Sequence, residues 1–224
     1  GATIRCRTDG TPGDGSMPTE LAFYTNTGTA AHTQQMCILA NGNVGIGTSA
    51  PPQPLSIHGA SGGLMALNRE DTGTSLNEVL GKIFFGADDP SDGTFNYGAK
   101  IEGQADGTWD TNDFPGKLVF FTNSANSLSE RMRIDQDGKV GIGITNPPKQ
   151  LTIAGTDTYA TMALVNTDAN NTISDGVDLG RIYFGGDDPT DNTYQYGAII
   201  QAEAAGDWSG TADSPTRLQF LTAA

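Results

Sequence analysis

Two short loops rich in carboxylates come nearest, in residue type and spacing, to a metal site. They run from Asp88 to Asp92 (DDPSD) and from Asp187 to Asp191 (DDPTD). Clustered carboxylates suit Ca²⁺, which prefers oxygen ligands. The loops lack the Asp-x-Asp-x-Asp-Gly order and the closing Glu of a calcium-binding loop, and Asp before Pro is common in turns. The sequence therefore favours solvated turns and predicts no metal ligand, with a Ca²⁺ that fastens the loop as the alternative.

Two tryptophans in polar loops are the candidates for sugar binding. Trp109 and Trp208 lie in Gly/Asp/Thr-rich stretches, with Tyr97 and Tyr196 upstream. Exposed aromatic rings stack on sugars through their apolar faces. Because a Trp recurs at the matching place, we favour a structural role in which each ring closes its unit against the neighbouring unit. A glycan site is the minority reading.

Residues that carry catalysis are few. His32 and His58 are the two histidines, and the sequence has no Gly-x-Ser-x-Gly, His-Glu-x-x-His or Cys-x-x-Cys motif. The glycine-rich Val44–Gly47 stretch lacks the Lys-Ser/Thr of a phosphate-binding loop. An acid pair for glycoside hydrolysis stays open, because 26 Asp and Glu residues supply candidates. We predict no catalytic or cofactor-binding residue and no enzyme activity.

Composition limits the class of protein and its partners. The chain has 224 residues, a formal net charge of −14, 36% hydrophobic residues, 30 Gly and 11 Pro. Few segments show helical periodicity, so the sequence predicts many short strands joined by turns, an all-β fold. The acidic charge argues against nucleic-acid binding, and no apolar run approaches the roughly 20 residues of a membrane span. Cys6 and Cys37 are expected to be unpaired, buried thiols, although a disulfide between them is open.

The organising feature is a repeat. Asn41 to Ile57 (NGNVGIGTSAPPQPLSI) returns as Asp137 to Ile153 (DGKVGIGITNPPKQLTI), an offset of 142 − 46 = 96 residues at the central isoleucines. Each copy reads as a tight turn, a Val-Gly-Ile-Gly strand with its β-branched side chains on one face, a double proline that ends the strand, and a second strand. The repeat therefore belongs to the architecture and not to an active-site loop.

Other strand-like segments recur in the same order along the chain. From them we predict tandem units of about 97 residues, with the end of one unit at 1–53, a complete unit at 54–150 and the beginning of a third at 151–224, as a window of a longer array. The matched segments are Glu20–Thr25, Lys117–Thr122 and Arg217–Thr222; Gln34–Leu39 and Glu130–Asp135; Leu64–Asn68 and Met162–Asn166; Leu80–Asp89 and Leu179–Asp188; and Phe95–Glu102 and Tyr194–Gln201.

Such units offer narrow apolar faces that copies of the same chain would cover most simply. In a homotrimer, Val44, Ile46, Val140 and Ile142 would meet at the axis or between chains, and the glycines would permit close packing. A monomeric array of β-sandwiches is the structural alternative.

The second copy of the repeat contains Met132–Asp135 (MRID), Asp137–Gly143 (DGKVGIG), Asn146-Pro147 and Leu151–Ile153. The stretch from Ile38 to Ser49 is similar, and Cys37 precedes it in place of Arg133. These residues resemble a segment that recurs in bacteriophage tail fibres and related trimeric adhesin shafts, often upstream of a self-cleaving endosialidase-type chaperone domain.

The resemblance implies an intertwined homotrimeric fibre shaft in a virion or another extracellular fibre, supporting attachment to a host receptor. Its partners would be copies of itself, other fibre or virion proteins, and a host surface glycan. Two alternatives stay open: a polysaccharide-degrading tailspike, and a cellular surface adhesin or extracellular filament subunit.

Overall fold

The structure is a computed structural model that describes residues 1–11, 13, 17–26, 28, 32–71, 73–91, 93–155, 160–167, 173–187, 194–208 and 214–222. Within those ranges every regular element is a β-strand, which confirms the predicted all-β fold. None of the residues in those ranges belongs to a helix long and apolar enough to span a bilayer. The strands are β1 (Thr3–Thr8), β2 (Thr19–Thr25), β3 (Thr33–Ile38), β4 (Val44–Ile46), β5 (Leu55–Ile57), β6 (Val79–Asp88), β7 (Phe95–Ala105), β8 (Gly116–Ser124), β9 (Ser127–Ile134), β10 (Val140–Ile142), β11 (Leu151–Ile153), β12 (Asp178–Asp187), β13 (Tyr194–Ala204) and β14 (Thr216–Thr222).

The first sheet follows chain order, β1-β2-β3-β4-β5, and its pairs are antiparallel except for the parallel pair of β4 and β5. The predicted tight turn links β3 to β4: the Gly42 N–H donates to the Leu39 carbonyl at 2.9 Å, and Gly42 has φ +86°. Thr48 to Pro54 carry the chain back so that β5 lies parallel to β4. Strand β4 ends at Ile46, where Gly47 turns the chain with φ +73°, and thus before the double proline Pro51-Pro52, as the sequence predicts.

The second sheet has the order β11-β10-β9-β8-β7-β6, and the third has the order β12-β13-β14. Strands β9, β10 and β11 pair as β3, β4 and β5 do: Gly141 faces Arg133 on one side and Thr152 on the other, as Gly45 faces Cys37 and Ser56. We call β3–β5 the first strand module and β9–β11 the second strand module.

The chain forms two compact units, Gly1–Phe85 with Lys100–Gly116, and Gly86–Ala99 with Lys117–Ala224. In the first unit Ala22, Tyr24 and Cys37 form a small buried cluster against which Leu39 packs. In the second unit Val119 and Ala204 are fully buried. The predicted boundaries near residues 53 and 150 stay predictions.

Two predicted strands are wrong. Leu64–Asn68 and Met162–Asn166 are irregular and exposed along their whole length. In the described part of the chain, their backbones form no hydrogen bond with another backbone. A strand exists only when a second backbone completes its ladder, and local sequence does not supply that partner. We call Leu64–Asn68 and Met162–Asn166 the irregular segments.

The expectation for the cysteines holds for one of them. Both thiols are free; Cys37 is buried, as predicted, but Cys6 is exposed. Cys6 lies on β1, the outer strand of its sheet, and the five residues from Ile4 to Thr8 are all exposed. The prediction of a buried Cys6 fails because nothing within the described chain covers this strand.

Candidate functional site

The acidic loop at Asp88 to Asp92 forms a hydrogen-bonded turn. The Asp89 carboxylate accepts the Ser91 N–H at 2.8 Å and the Ser91 hydroxyl at 2.6 Å, and these bonds lower the pKa of Asp89. Asp92 and residues 188–191 of the second acidic loop lie outside the described residues. Among the residues that are described, no group of three or more His, Cys, Asp or Glu side chains is arranged to hold a metal ion.

Both tryptophans form the same two contacts. The Trp109 indole N–H donates to the Pro115 carbonyl at 2.9 Å, and the Trp109 backbone N–H donates to Thr74 at 2.9 Å. Trp208 likewise donates through its ring to Pro215 at 3.2 Å and through its backbone to Ile173 at 2.8 Å. Each half-buried ring thus fastens its own loop to the chain on both sides, and the closure of one unit against its neighbour stays a prediction.

Residues for acid–base chemistry do not converge in the two best-formed surface cavities. A cavity of about 460 Å³ has Glu20 as its one carboxylate residue, and a cavity of about 610 Å³ has Asp187. A glycosidase places two carboxylates across the scissile bond, at roughly 5–10 Å. His32 and His58 are both exposed and line neither cavity.

Many large apolar side chains of this chain are exposed. On the long hairpin strands the exposed rings include Phe84, Phe85, Tyr183 and Phe184. Phe95 packs edge-on against Tyr97 at 5.4 Å between centroids, and Tyr183 contacts Tyr196 at 4.9 Å. Monomeric soluble proteins rarely leave contiguous patches of this kind uncovered. The further exposed large apolar residues are Ile4, Met17, Ile46, Leu55, Leu64, Met65, Leu67, Leu76, Ile83, Phe114, Leu118, Ile142, Leu151, Met162, Leu164, Val165, Ile182, Leu218, Phe220 and Leu221.

The Val-Gly-Ile-Gly strands contribute to this surface with one face. Gly45 and Gly141 are buried, whereas Ile46 and Ile142 are 41% and 39% exposed. A Cβ on Gly45 would lie 2.5 Å from the Thr48 carbonyl oxygen, and one on Gly141 would lie 2.6 Å from that of Ile144. The glycines are therefore needed for packing within the chain, and the isoleucines are left on the outside.

Charged side chains at matching strand positions form a second feature. Glu20, Glu102 and Lys117 are buried, at 5%, 2% and 5% exposure. Burial acts to raise the pKa of Glu102, but hydrogen bonds from Lys100 and Gln104, with the charges of Lys100 and Lys82, outweigh it and lower that pKa. Glu102 is therefore held as a carboxylate within a sheet.

An ion pair joins neighbouring strands in the first and third sheets, but the order of its positive and negative residues is reversed between them. Arg7 on β1 faces Glu20 on β2 and forms an ion pair with it. At the matching register, Glu203 on β13 faces Arg217 on β14, and these two side chains also form an ion pair. These two sheets therefore accept opposite charges at this position in either order.

Sequence reasoning missed both features. The ion pairs Arg7–Glu20 and Glu203–Arg217 stand at matched places in the repeated strands, so the recurring charges were the available signal. The exposed rings were counted as ordinary strand residues, because alternation shows which side chains share a face but not whether anything covers it.

No protein-family model matches the sequence, and no curated protein matches it. The solved structures that match this chain include two from one phage tail fibre. One is the carboxy-terminal domain of the bacteriophage T5 L-shaped tail fibre, with 14% identity, a TM-score of 0.40, and coverage of 74% of this chain and 80% of that chain. The other is that domain with its intramolecular chaperone domain, with 12% identity, a TM-score of 0.29, and coverage of 99% and 81%.

Proposed function

We propose that this chain is a shaft segment of a bacteriophage tail fibre or a fibre-like adhesin, assembled as a homotrimer. Its work is mechanical: it holds a receptor-binding part at a distance from the particle. Its partners are copies of itself and other fibre or virion proteins, and its place is the virion or the extracellular space.

The observation that carries the proposal is the number of large apolar side chains that the chain leaves exposed, among them Phe85 at 52%, Phe184 at 52% and Val165 at 73% exposure. At about 25 cal/mol per Å² of apolar surface, covering even 1,000 Å² of it contributes about 25 kcal/mol before the entropy costs of association. A second copy of the chain is always present at the same concentration and can cover this apolar surface. Self-association explains why Phe85, Phe184 and Val165 are left in water by the isolated chain.

The proposal that the chain belongs to a fibre depends on its sequence. The second strand module carries the residues that resemble tail-fibre shafts, and the first strand module repeats them 96 residues earlier. Units that repeat along one chain, each leaving apolar surface for the same unit of a neighbour, build a long assembly from one gene product. Threefold symmetry is the part of the proposal that comes from the resemblance.

Light scattering across a concentration series tests the assembly. A homotrimer has a native mass of 3 × 23.3 kDa, which is 69.9 kDa. We expect this mass at every concentration above the micromolar range, and negative-stain images of rods of constant width. A monomer of 23.3 kDa that melts cooperatively on its own would contradict the proposal, because such a chain does not need its copies.

A further inference from the structure

The irregular segments have the sequence of strands but not the structure. They share Met-Ala-Leu, at Met65–Leu67 and Met162–Leu164, with an offset of 162 − 65 = 97 residues. Leu64, Met162 and Val165 are 81%, 57% and 73% exposed. A solvated loop has no reason to carry the same apolar residues in both places, so the pattern points to a contact that the isolated chain does not contain.

Both irregular segments have the same position relative to the long strand that follows them in the chain. A Cβ on Gly81 would lie 2.6 Å from the Leu67 carbonyl oxygen and 2.8 Å from the Leu67 Cβ. A Cβ on Gly180 would lie 2.8 Å from the Leu164 Cβ. Each irregular segment therefore crosses the beginning of a long strand, β6 or β12, at a glycine that allows the approach. This repeated seating positions the segment without completing its backbone hydrogen bonds.

The long strands β6 and β12 each have one edge that pairs with no described strand. Each has ten residues and is the outer member of its sheet among the described strands. The last seven residues of each strand are exposed, and they include Ile83 and Phe85 in β6 and Ile182 and Phe184 in β12. A long, apolar edge strand is a template for pairing with another backbone, and proteins normally cover it.

We propose that each irregular segment becomes a β-strand by pairing with the exposed edge of β6 or β12 in a second copy of this chain. One copy thus supplies backbone donors and acceptors that the other lacks, and the apolar side chains of both are covered in the same step. The inference rests on the proposed self-association and adds which backbones join the chains.

Hydrogen–deuterium exchange on the assembled chain tests the pairing. We expect amides of Leu64–Asn68 and Met162–Asn166 to exchange at least about 100-fold more slowly than an unstructured peptide, because ladder hydrogen bonds must open first. An assembled chain in which these amides exchange at the unstructured rate overturns the inference and leaves the proposed function standing. A monomer overturns both.

Proline substitution tests the same ladder by removing donors. In the double variant Ala66→Pro and Ala163→Pro, each irregular segment loses one N–H and its strand geometry. We expect the assembled mass to be lost or its dissociation midpoint to fall to lower urea, while the far-ultraviolet strand signal of the chain is kept. Ala60→Pro is the matched control, since Ala60 follows Gly59 in a turn closed by the Gly62 N–H, where proline is tolerated. Equal assembly of the double variant and the control would overturn the inference.

Discussion

The two strand modules have the same backbone and the same pairing, but they fill one buried position in opposite ways. In the first strand module that position holds Cys37, which is fully buried and donates its thiol to the Thr48 carbonyl at 3.4 Å. In the second it holds Arg133, whose guanidinium binds the Glu130 carboxylate through two bonds of 2.6 and 2.7 Å and donates to the Thr145 carbonyl at 2.7 Å.

The difference separates what the fold requires from what it tolerates. Both modules need a glycine in the adjacent strand and a donor that reaches a carbonyl just after that strand. A small thiol meets the second need at short range, and an arginine meets it at long range if a carboxylate neutralises its charge. Position 34, which matches Glu130, is Gln in the first strand module, so the residue at 37 and the residue at 34 differ together.

Moving the arginine alone into the first strand module is the change with the largest expected effect. Cys37→Arg places a charge at a fully buried site beside Gln34, and we expect the free energy of unfolding to fall by about 4 kcal/mol. Urea unfolding of the assembled chain measures it.

The double variant Gln34→Glu with Cys37→Arg reproduces the pair of the second strand module. It should recover about 2 kcal/mol of that loss, the value of charge-assisted hydrogen bonds. The coupling is read from a double-mutant cycle. A double variant no more stable than Cys37→Arg would show that the two modules are not interchangeable.

Adding a methyl group to the shared glycines is the next largest change. We expect Gly45→Ala and Gly141→Ala each to lower the free energy of unfolding by about 3 kcal/mol, because the new Cβ would overlap a backbone carbonyl oxygen that cannot move aside. Thermal unfolding measures it. Gly116→Ala is the control, since its Cβ would have its nearest neighbour at 3.8 Å. If one of the two alanine variants unfolded at the same temperature as the unchanged protein, the two modules would not share this constraint.

The smallest change removes one charge from the second strand module. Glu130→Gln keeps the shape of the side chain but leaves Arg133, whose side chain is 11% exposed, with a neutral partner. We expect a loss of about 1.5 kcal/mol, the usual value of a hydrogen bond between charged groups. Glu70→Gln on the exposed surface changes the net charge equally and should leave stability within about 0.5 kcal/mol. Equal unfolding midpoints for the two variants would mean that the ion pair adds nothing to the fold.

The sequence by itself determined the fold class, the turns and the approximate positions of β2 to β14, because these depend on local properties. Alternation and recurrence placed the strands, Asn41-Gly42 and Asp137-Gly138 placed the turns, and the double prolines required β4 and β10 to end before them. The sequence also separated the glycine face of these short strands from the isoleucine face.

Only the tertiary structure decided which of those faces lies inside and which strand sequences become strands. Gly45 faces inward because a carbonyl of the following turn folds back over it, a contact that alternation does not reveal. Leu64–Asn68 has the short apolar run of a buried strand, yet it stays irregular because no described backbone in the same chain pairs with it. Strand formation needs a partner, and the partner is a property of the folded chain and its assembly and not of the segment.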